Sequence, residues 1–274
     1  MSGIQKVAVV GTGGIGGSWA AYFLAQGLDV VATDIREGAE HDLRARIRLY
    51  WGSLSAAGLA ADASIDRLRF VPTLEEALRD AQFVQESGPE RLALKQSLFA
   101  RMSEAALPDA LLVSSSSTLL VSDFQRDARH PERVVLGHPF NPPHMVPLVE
   151  VVGGKLTSER AIADVMSFYR SIGKSPIRLS QEIFGHVANR LQTAVWREAF
   201  HLISTGVASA EDIDTAITQG PGLRWAVNGR LARCCMSPAG AAACARHSPI
   251  WESRRTRWRK RCIRVRSRRR SMTP

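Results

Sequence analysis

One stretch near the N-terminus restricts the fold of this chain more than any other. The segment VAVVGTGGIGGSWAAYFLAQGLDVVATD runs from Val7 to Asp34. Its first four residues form a continuous apolar run, which predicts a strand buried on both faces. Gly11, Gly13 and Gly16 follow, and then come a helical pattern and a second apolar strand. This order is typical of the first unit of a doubly wound α/β sheet.

The glycines and Asp34 have the chemistry of a dinucleotide site. Glycine permits the tight turn and the close approach of a pyrophosphate, and the helix N-terminus that follows favours phosphate groups. Asp34 can accept hydrogen bonds from a ribose 2′-hydroxyl and would repel a 2′-phosphate, although Arg36 lies nearby. We therefore predict NAD as the cofactor, with a glycine-rich turn that binds no ligand as the alternative. The predicted contacts in this segment are Gly11, Thr12, Gly13, Gly14, Ile15, Gly16 and Asp34.

The charge of the chain is unevenly distributed. The formal net charge is +10, but residues 230–274 hold 14 of the 36 lysines and arginines and one acidic residue. The remaining residues carry a net charge near −3, and all four cysteines lie in the basic tail. A body without cysteine suits a reducing cytoplasm. No run approaches the roughly 20 apolar residues of a membrane span, and no signal peptide is visible, so we predict a cytoplasmic protein that does not bind membranes.

The pattern along the chain predicts two domains and a tail. Strands and helices alternate through residues 1–184, which predicts a Rossmann-type, doubly wound parallel sheet that binds NAD. From residue 185 to residue 229 the pattern is wholly helical, with Ser209 as a helix N-cap. We predict that residues 185–229 begin an all-α domain that is incomplete. Residues 230–274 lack helical periodicity, and we expect them to be disordered.

Polar residues at the strand ends supply candidate catalytic groups. Ser117 ends a serine run after one predicted strand, His138 ends the next strand, and Glu150 lies in the strand PLVEVV. An enzyme that oxidises an alcohol needs a base for the hydroxyl proton, and histidine titrates in the working range. A carboxylate on the other ring nitrogen would fix its tautomer. Each residue alone also has an ordinary structural explanation, as a cap, a loop residue or an edge-strand residue.

These residues carry a family resemblance. The segment GHPFNPPHMVPLVEVV, the serine run and the segment GHVANRL together resemble the 3-hydroxyacyl-CoA dehydrogenase family over about residues 4–228. The resemblance implies NAD-dependent oxidation of a 3-hydroxyl to a 3-keto group, within fatty acid metabolism. It implies that His138 is the general base and Glu150 its orienting partner. It also implies that Ser117 binds the substrate oxygen near the nicotinamide and that Asn189 helps to place the substrate.

The resemblance extends to further residues and leaves the substrate open. It implies that Glu90, Lys95, Asn141 and Ser117 contact NAD. The segment GPGLRWA is most similar to the L-carnitine dehydrogenase and lambda-crystallin branch, whose members act on 3-hydroxy acids without CoA, such as L-carnitine or L-gulonate. Three arginines at 44, 46 and 48 could instead meet the phosphates of a 3-hydroxyacyl-CoA. A non-catalytic NAD-binding or structural relative is a further alternative. We assign ordinary structural roles to His144 and His186.

The basic tail departs from the family pattern. The resemblance ends near residue 228, where family members continue with helices that complete the second domain and the dimer interface. A frameshift in a GC-rich gene would explain the arginine-rich ending and would truncate the helical domain. A homodimer is expected for the family, and its formation by this chain is doubtful. The alternative is a genuine arm that binds nucleic acid without specificity, through counterion release.

Overall fold

The computed structural model describes residues 3–227. The predictions made for the basic tail, which concern its disorder, its reading frame and its binding to nucleic acid, lie outside the described residues. Within these residues the elements follow one another in the alternating order that the sequence predicts. The strands are β1 (Lys6–Val10), β2 (Asp29–Thr33), β3 (Leu68–Phe70), β4 (Phe83–Glu86), β5 (Leu111–Ser114), β6 (Val134–Pro139), β7 (Leu148–Gly153) and β8 (Ser175–Arg178).

Helices connect most of these strands. They are α1 (Gly14–Ala25), α2 (Ala39–Ala57), α3 (Leu74–Leu78), α4 (Leu92–Ala105), α5 (Val121–Phe124), α6 (Glu159–Ser171), α7 (Ala188–Ser204), α8 (Ala210–Thr218) and α9 (Pro221–Val227). The predicted cap at Ser209 is present, since Ser209 forms a capping box with Asp212, and Thr73 caps α3 by accepting a hydrogen bond from Glu76 N. These caps satisfy backbone N–H groups that have no partner within the helix.

The strands form one sheet in the order β3-β2-β1-β4-β5-β6-β7-β8. The doubly wound α/β fold predicted from the sequence is confirmed, but the sheet is not wholly parallel, because β7 runs antiparallel to β6. The linker between β6 and β7 is residues 140–147, and a parallel crossover needs a dozen residues or more. A reversal of direction is therefore required. The edge strand β8, which the sequence analysis did not predict, runs parallel to β7.

The reversal at β7 determines which side chains meet across the sheet. In the antiparallel register His138 lies directly opposite Glu150. Opposed residues of antiparallel strands have Cβ atoms only about 5 Å apart. Glu150 therefore reaches His138 from the middle of its own strand, and the carboxyl ends of β4 and β5 bring the loops after Glu86 and Ser114 to the same edge.

The sheet is covered by apolar residues on both faces, as a doubly wound fold requires. On one face, Trp19 of α1 stacks on Phe23 with ring centroids 5.2 Å apart and on Tyr169 of α6 at 5.5 Å. The Tyr169 hydroxyl donates a hydrogen bond of 2.6 Å to Gln85 Oε1 on β4. On the other face, the rings of Phe99 and Phe124 lie 4.8 Å apart. These contacts fix α1 and α4 against the strands that carry the candidate site.

The described residues divide into two compact units after Thr193. The first unit contains the sheet and the first residues of α7, and the second contains the rest of α7 with α8 and α9. The domain boundary predicted at residue 185 stays a prediction. Among the described residues, no helix combines the length and the apolar character that crossing a bilayer requires. The predicted cytoplasmic location and the doubtful dimer likewise remain predictions.

Candidate active site

The glycine-rich loop packs tightly onto the strand that precedes it. Gly11 has a φ of +86°, which glycine adopts without strain. A Cβ on Gly16 would lie 1.8 Å from the Gly11 carbonyl oxygen, so the site excludes any larger residue. A Cβ on Gly13 would meet no atom within 4 Å. The loop therefore leaves open space at the N-terminus of α1, where the pyrophosphate of a dinucleotide fits.

Asp34 fixes the end of β2 beside this loop. Its Oδ2 accepts hydrogen bonds from Thr12 N at 2.7 Å and Thr12 Oγ1 at 3.0 Å, and its Oδ1 accepts one from Arg36 N at 3.0 Å. A carboxylate has about four acceptor positions, so one is left for a ribose hydroxyl. The Arg36 guanidinium lies 2.8 Å from Asp42, an ion pair that engages a cation which could otherwise favour a 2′-phosphate. The geometry fits NAD.

A buried ion pair organises the loop after β4. The Lys95 ammonium lies 2.7 Å and 2.8 Å from the two carboxylate oxygens of Glu86, and both side chains are almost completely buried. Glu86 also accepts hydrogen bonds from Gly88 N at 2.6 Å and Ser114 Oγ at 2.7 Å. Each buried charge thus has several partners, as stable burial requires. Sequence analysis missed Glu86, because only its burial and its partner on α4 distinguish it from an ordinary polar residue at a strand end.

The remaining predicted cofactor contacts have different surroundings. Glu90 accepts hydrogen bonds from Ser116 Oγ at 2.8 Å and from Ser117 N at 2.6 Å, so it holds the serine loop after β5. Asn141 lines the cavity described below. Lys95 is only 1% exposed, and its ammonium group donates to Glu86. It therefore shapes the loop after β4. Direct contact of these three residues with NAD stays a prediction.

Ser117, His138 and Glu150 form a continuous hydrogen-bonded row. His138 Nδ1 lies 2.9 Å from Glu150 Oε2, and His138 Nε2 lies 3.2 Å from Ser117 Oγ. A carboxylate can only accept, so Nδ1 carries the proton and Nε2 presents its lone pair. The row joins β7, β6 and the loop after β5. Its chemistry is that of an oriented imidazole base beside a hydroxyl group.

Glu150 joins this row to the start of α7. Its second oxygen, Oε1, accepts hydrogen bonds from Val187 N at 2.8 Å and Ala188 N at 2.9 Å. Burial opposes ionisation of this carboxyl group, but hydrogen bonds from His138, Ala188 and Val187 outweigh burial and lower the pKa of Glu150 below its ordinary value. The carboxylate therefore stays charged and can stabilise an imidazolium on His138.

A cavity of about 310 Å³ opens beside His138 Nε2. Its volume is at the lower end of the range for small-molecule sites. It brings together five predicted catalytic or cofactor residues from separate elements, and the other predicted site residues do not line it. The five are Ile15, Ser117, His138, Asn141 and Asn189. Gln192, one turn after Asn189, also lines it and was missed by sequence analysis. The complete lining is Ile15, Ser115, Ser117, His138, Pro139, Phe140, Asn141, Asn189 and Gln192.

Comparisons with known proteins agree with this geometry. The family model described as 3-hydroxyacyl-CoA dehydrogenase, NAD binding domain, matches residues 6–183, and the model of the C-terminal domain matches residues 185–233. An L-carnitine dehydrogenase of Streptomyces coelicolor is 50% identical over 228 residues, which are 83% of this chain and 72% of that protein. An L-carnitine dehydrogenase of Pseudomonas aeruginosa is 50% identical over 244 residues, 89% of this chain and 75% of that protein.

A solved structure supports the same conclusion. The NAD⁺-dependent dismutase 5-formyl-3-hydroxy-2-methylpyridine 4-carboxylic acid 5-dehydrogenase has a TM-score of 0.84 and 30% identity, over 91% of this chain and 81% of that one. Fold and site together therefore define an NAD-dependent oxidoreductase. The chain belongs to the 3-hydroxyacyl-CoA dehydrogenase family, as the sequence resemblance predicted.

The buried pair of Glu86 and Lys95 yields a stability prediction. Replacing Lys95 with Met should leave the Glu86 carboxylate buried without its cation, a change that costs about 3–5 kcal/mol in the free energy of unfolding. Thermal and urea unfolding of the NAD-free protein would measure this loss.

The matched control is the double variant Glu86→Gln with Lys95→Met, in which no charge remains. The amide oxygen introduced by Glu86→Gln can still accept from Gly88 N, and its NH2 group can donate to Ser114 Oγ, so most of the lost stability should return. An unfolding midpoint for Lys95→Met equal to that of the native chain would contradict the account.

Proposed function

We propose that this protein oxidises the 3-hydroxyl group of a small, CoA-free 3-hydroxy acid of the L-carnitine type to a 3-keto group, with His138 as general base. The single observation that carries the proposal is the row Ser117–His138–Glu150 at the cavity. Bound NAD would be held by the glycine-rich loop and Asp34, and it would supply the hydride acceptor.

The chain's own residues account for the movement of the proton. In the proposed reaction, the substrate hydroxyl takes the place of Ser117 and donates its hydrogen bond to His138 Nε2, the nitrogen that carries the lone pair. The O–H proton passes to Nε2 as the carbonyl forms and the C–H hydride leaves. Glu150 stabilises the resulting imidazolium, because its carboxylate already accepts a hydrogen bond from the N–H group at Nδ1. The alcohol loses one hydride and one proton, and the product is the ketone.

Ser117 and Asn189 are proposed to hold the substrate. The Ser117 hydroxyl lies 3.2 Å from the same nitrogen that receives the proton, so it can donate to the substrate oxygen once that oxygen is present. Both residues line the cavity. Positioning of this kind can contribute several kcal/mol to lowering the reaction barrier.

Three observations support a substrate without CoA. Curated relatives at 50% identity are named L-carnitine dehydrogenases. The arginines considered as CoA contacts are partly engaged within α2 itself, since Arg44 lies 2.8 Å from Glu40 in an ion pair. The side chains that line the cavity, within the described part of the chain, include no lysine or arginine. Recognition of a thioester carrying several phosphates would need such groups.

Replacing His138 with Gln tests the general base. Glutamine fills similar space but cannot accept the proton at neutral pH, so kcat should fall by about 10²–10⁴, while NAD binding measured by fluorescence quenching should be unchanged. His130→Gln, at a half-exposed position outside the cavity, is the matched control and should keep native kcat. A His138→Gln enzyme with native kcat would contradict the role of His138.

A substrate comparison tests the proposed specificity. NADH production should be measured with L-carnitine, L-gulonate and 3-hydroxybutyryl-CoA on the full chain. We expect kcat/KM for L-carnitine to exceed that for the CoA thioester by at least about tenfold, a difference of about 1.4 kcal/mol in transition-state binding. A preference for the thioester would overturn the CoA-free assignment. Absence of turnover with all three would favour a non-catalytic relative.

A further inference from the structure

His186 has the most unusual backbone beside the active site. It lies two residues before α7 and has a φ of +46°, and it is the only described residue other than glycine with a positive φ. Histidine tolerates this region better than most residues but still pays a conformational cost. The side chain is only 2% exposed. The ring makes contacts with Ser116 and His138 that a glycine at this position could not supply.

The hydrogen bond of His186 fixes its tautomer. Its Nε2 lies 3.2 Å from the carbonyl oxygen of Ser116. A carbonyl only accepts, so Nε2 carries the proton. The other nitrogen, Nδ1, is buried and has no hydrogen-bond partner. Protonating Nδ1 would bury both a charge and an unpaired donor, so the structure favours the neutral ring.

The charged and titratable groups around His186 come from three elements. The His138 ring on β6 lies 4.7 Å away between centroids, and the carboxylates of Glu150 on β7 and Glu90 in the loop after β4 also act on it. Burial is the largest influence and lowers the pKa of His186, and His138 lowers it further. The hydrogen bond to Ser116 and the two carboxylates oppose this effect without cancelling it.

His186 thus joins the three parts of the site. Its ring packs on the base His138, and its Nε2–H holds the backbone of Ser116 next to Ser117. The next two residues along the chain, Val187 and Ala188, donate the backbone hydrogen bonds that hold Glu150. Any shift of this ring would change the distance between Ser117 and His138.

We propose that His186 is a positioning residue for the oxidation, a neutral imidazole that holds Ser117 and His138 in place and must stay unprotonated for turnover. This inference rests on the proposed function of His138. A second positive charge beside His138 would oppose the transfer of the substrate proton to that ring. Two histidines, rather than one, would then limit activity at acidic pH.

The first test is the pH dependence of kcat/KM for the substrate of the native full chain. Because two groups must be neutral, log kcat/KM should rise as the pH increases, with a slope that approaches 2 at the acidic end. In His186→Gln the slope should fall to 1, because glutamine does not titrate. A native slope of 1, or an unchanged slope of 2 in the variant, would overturn the proposal.

A matched pair of variants tests the contact with Ser116. A glutamine amide reaches about as far as Nε2 and can donate to the Ser116 carbonyl, whereas the shorter asparagine in His186→Asn tolerates the positive φ but cannot reach. We expect kcat to fall about tenfold in His186→Gln, which loses the ring contact, and about 100-fold in His186→Asn, which also loses the hydrogen bond. KM for NAD should change in neither.

The outcomes separate this inference from the proposed function. Thermal unfolding and NAD binding show whether each variant is folded, and a variant that lowers stability but keeps native kcat would assign His186 a structural role only. Equal loss of kcat in both variants would also overturn the role of the Ser116 contact. Failure of the proposed function would instead appear as a His138→Gln enzyme that turns over like the native chain.

Discussion

The buried Glu150 carboxylate is the interaction on which the rest of the site depends. One oxygen accepts a hydrogen bond from His138 Nδ1 and the other accepts hydrogen bonds from the backbone N–H groups of Val187 and Ala188. The same charge therefore sets the tautomer of His138 and fixes the first residues of α7, which carry Asn189. The antiparallel register of β7 makes this possible, since it places Glu150 directly opposite His138. A parallel strand would have directed this region of the chain to the other end of the sheet.

The cofactor side of the site also contains a fully paired buried charge. Lys95 neutralises the buried Glu86 beneath the loop after β4, whereas the exposed Glu90 holds the serine loop after β5. Each carboxylate accepts a hydrogen bond from a backbone N–H group, so loop geometry is determined by side chains that do not line the cavity. The cost of burying Glu86 and Lys95 is offset only while every partner is present.

Much of this arrangement could be predicted from sequence, because local pattern determines it. The strand, glycine loop and helix at residues 7–25 follow from local pattern, and so does the placement of Ser117 and His138 at the ends of neighbouring strands. Glu150 lies in the middle of β7, and its pairing with His138 was implied by the family resemblance. The reversal of β7 was missed, although the eight-residue linker before it was a usable signal. Glu86 was not identified from the sequence, and His186 was given an ordinary structural role, for another reason. Their contacts are with residues on other elements, such as Lys95 and Ser116, and no period or motif marks such pairs.

The replacement of Glu150 by Gln measures the central claim most directly. The amide oxygen can still accept from α7, but the amide would present donors to His138 and favour the tautomer that lacks a free Nε2. We predict that kcat falls by about 10³–10⁴ with NAD binding intact, while Glu182→Gln, which alters a carboxylate bonded to Ser122 outside the cavity, keeps native kcat. A folded Glu150→Gln enzyme with kcat within tenfold of the native value would contradict the account.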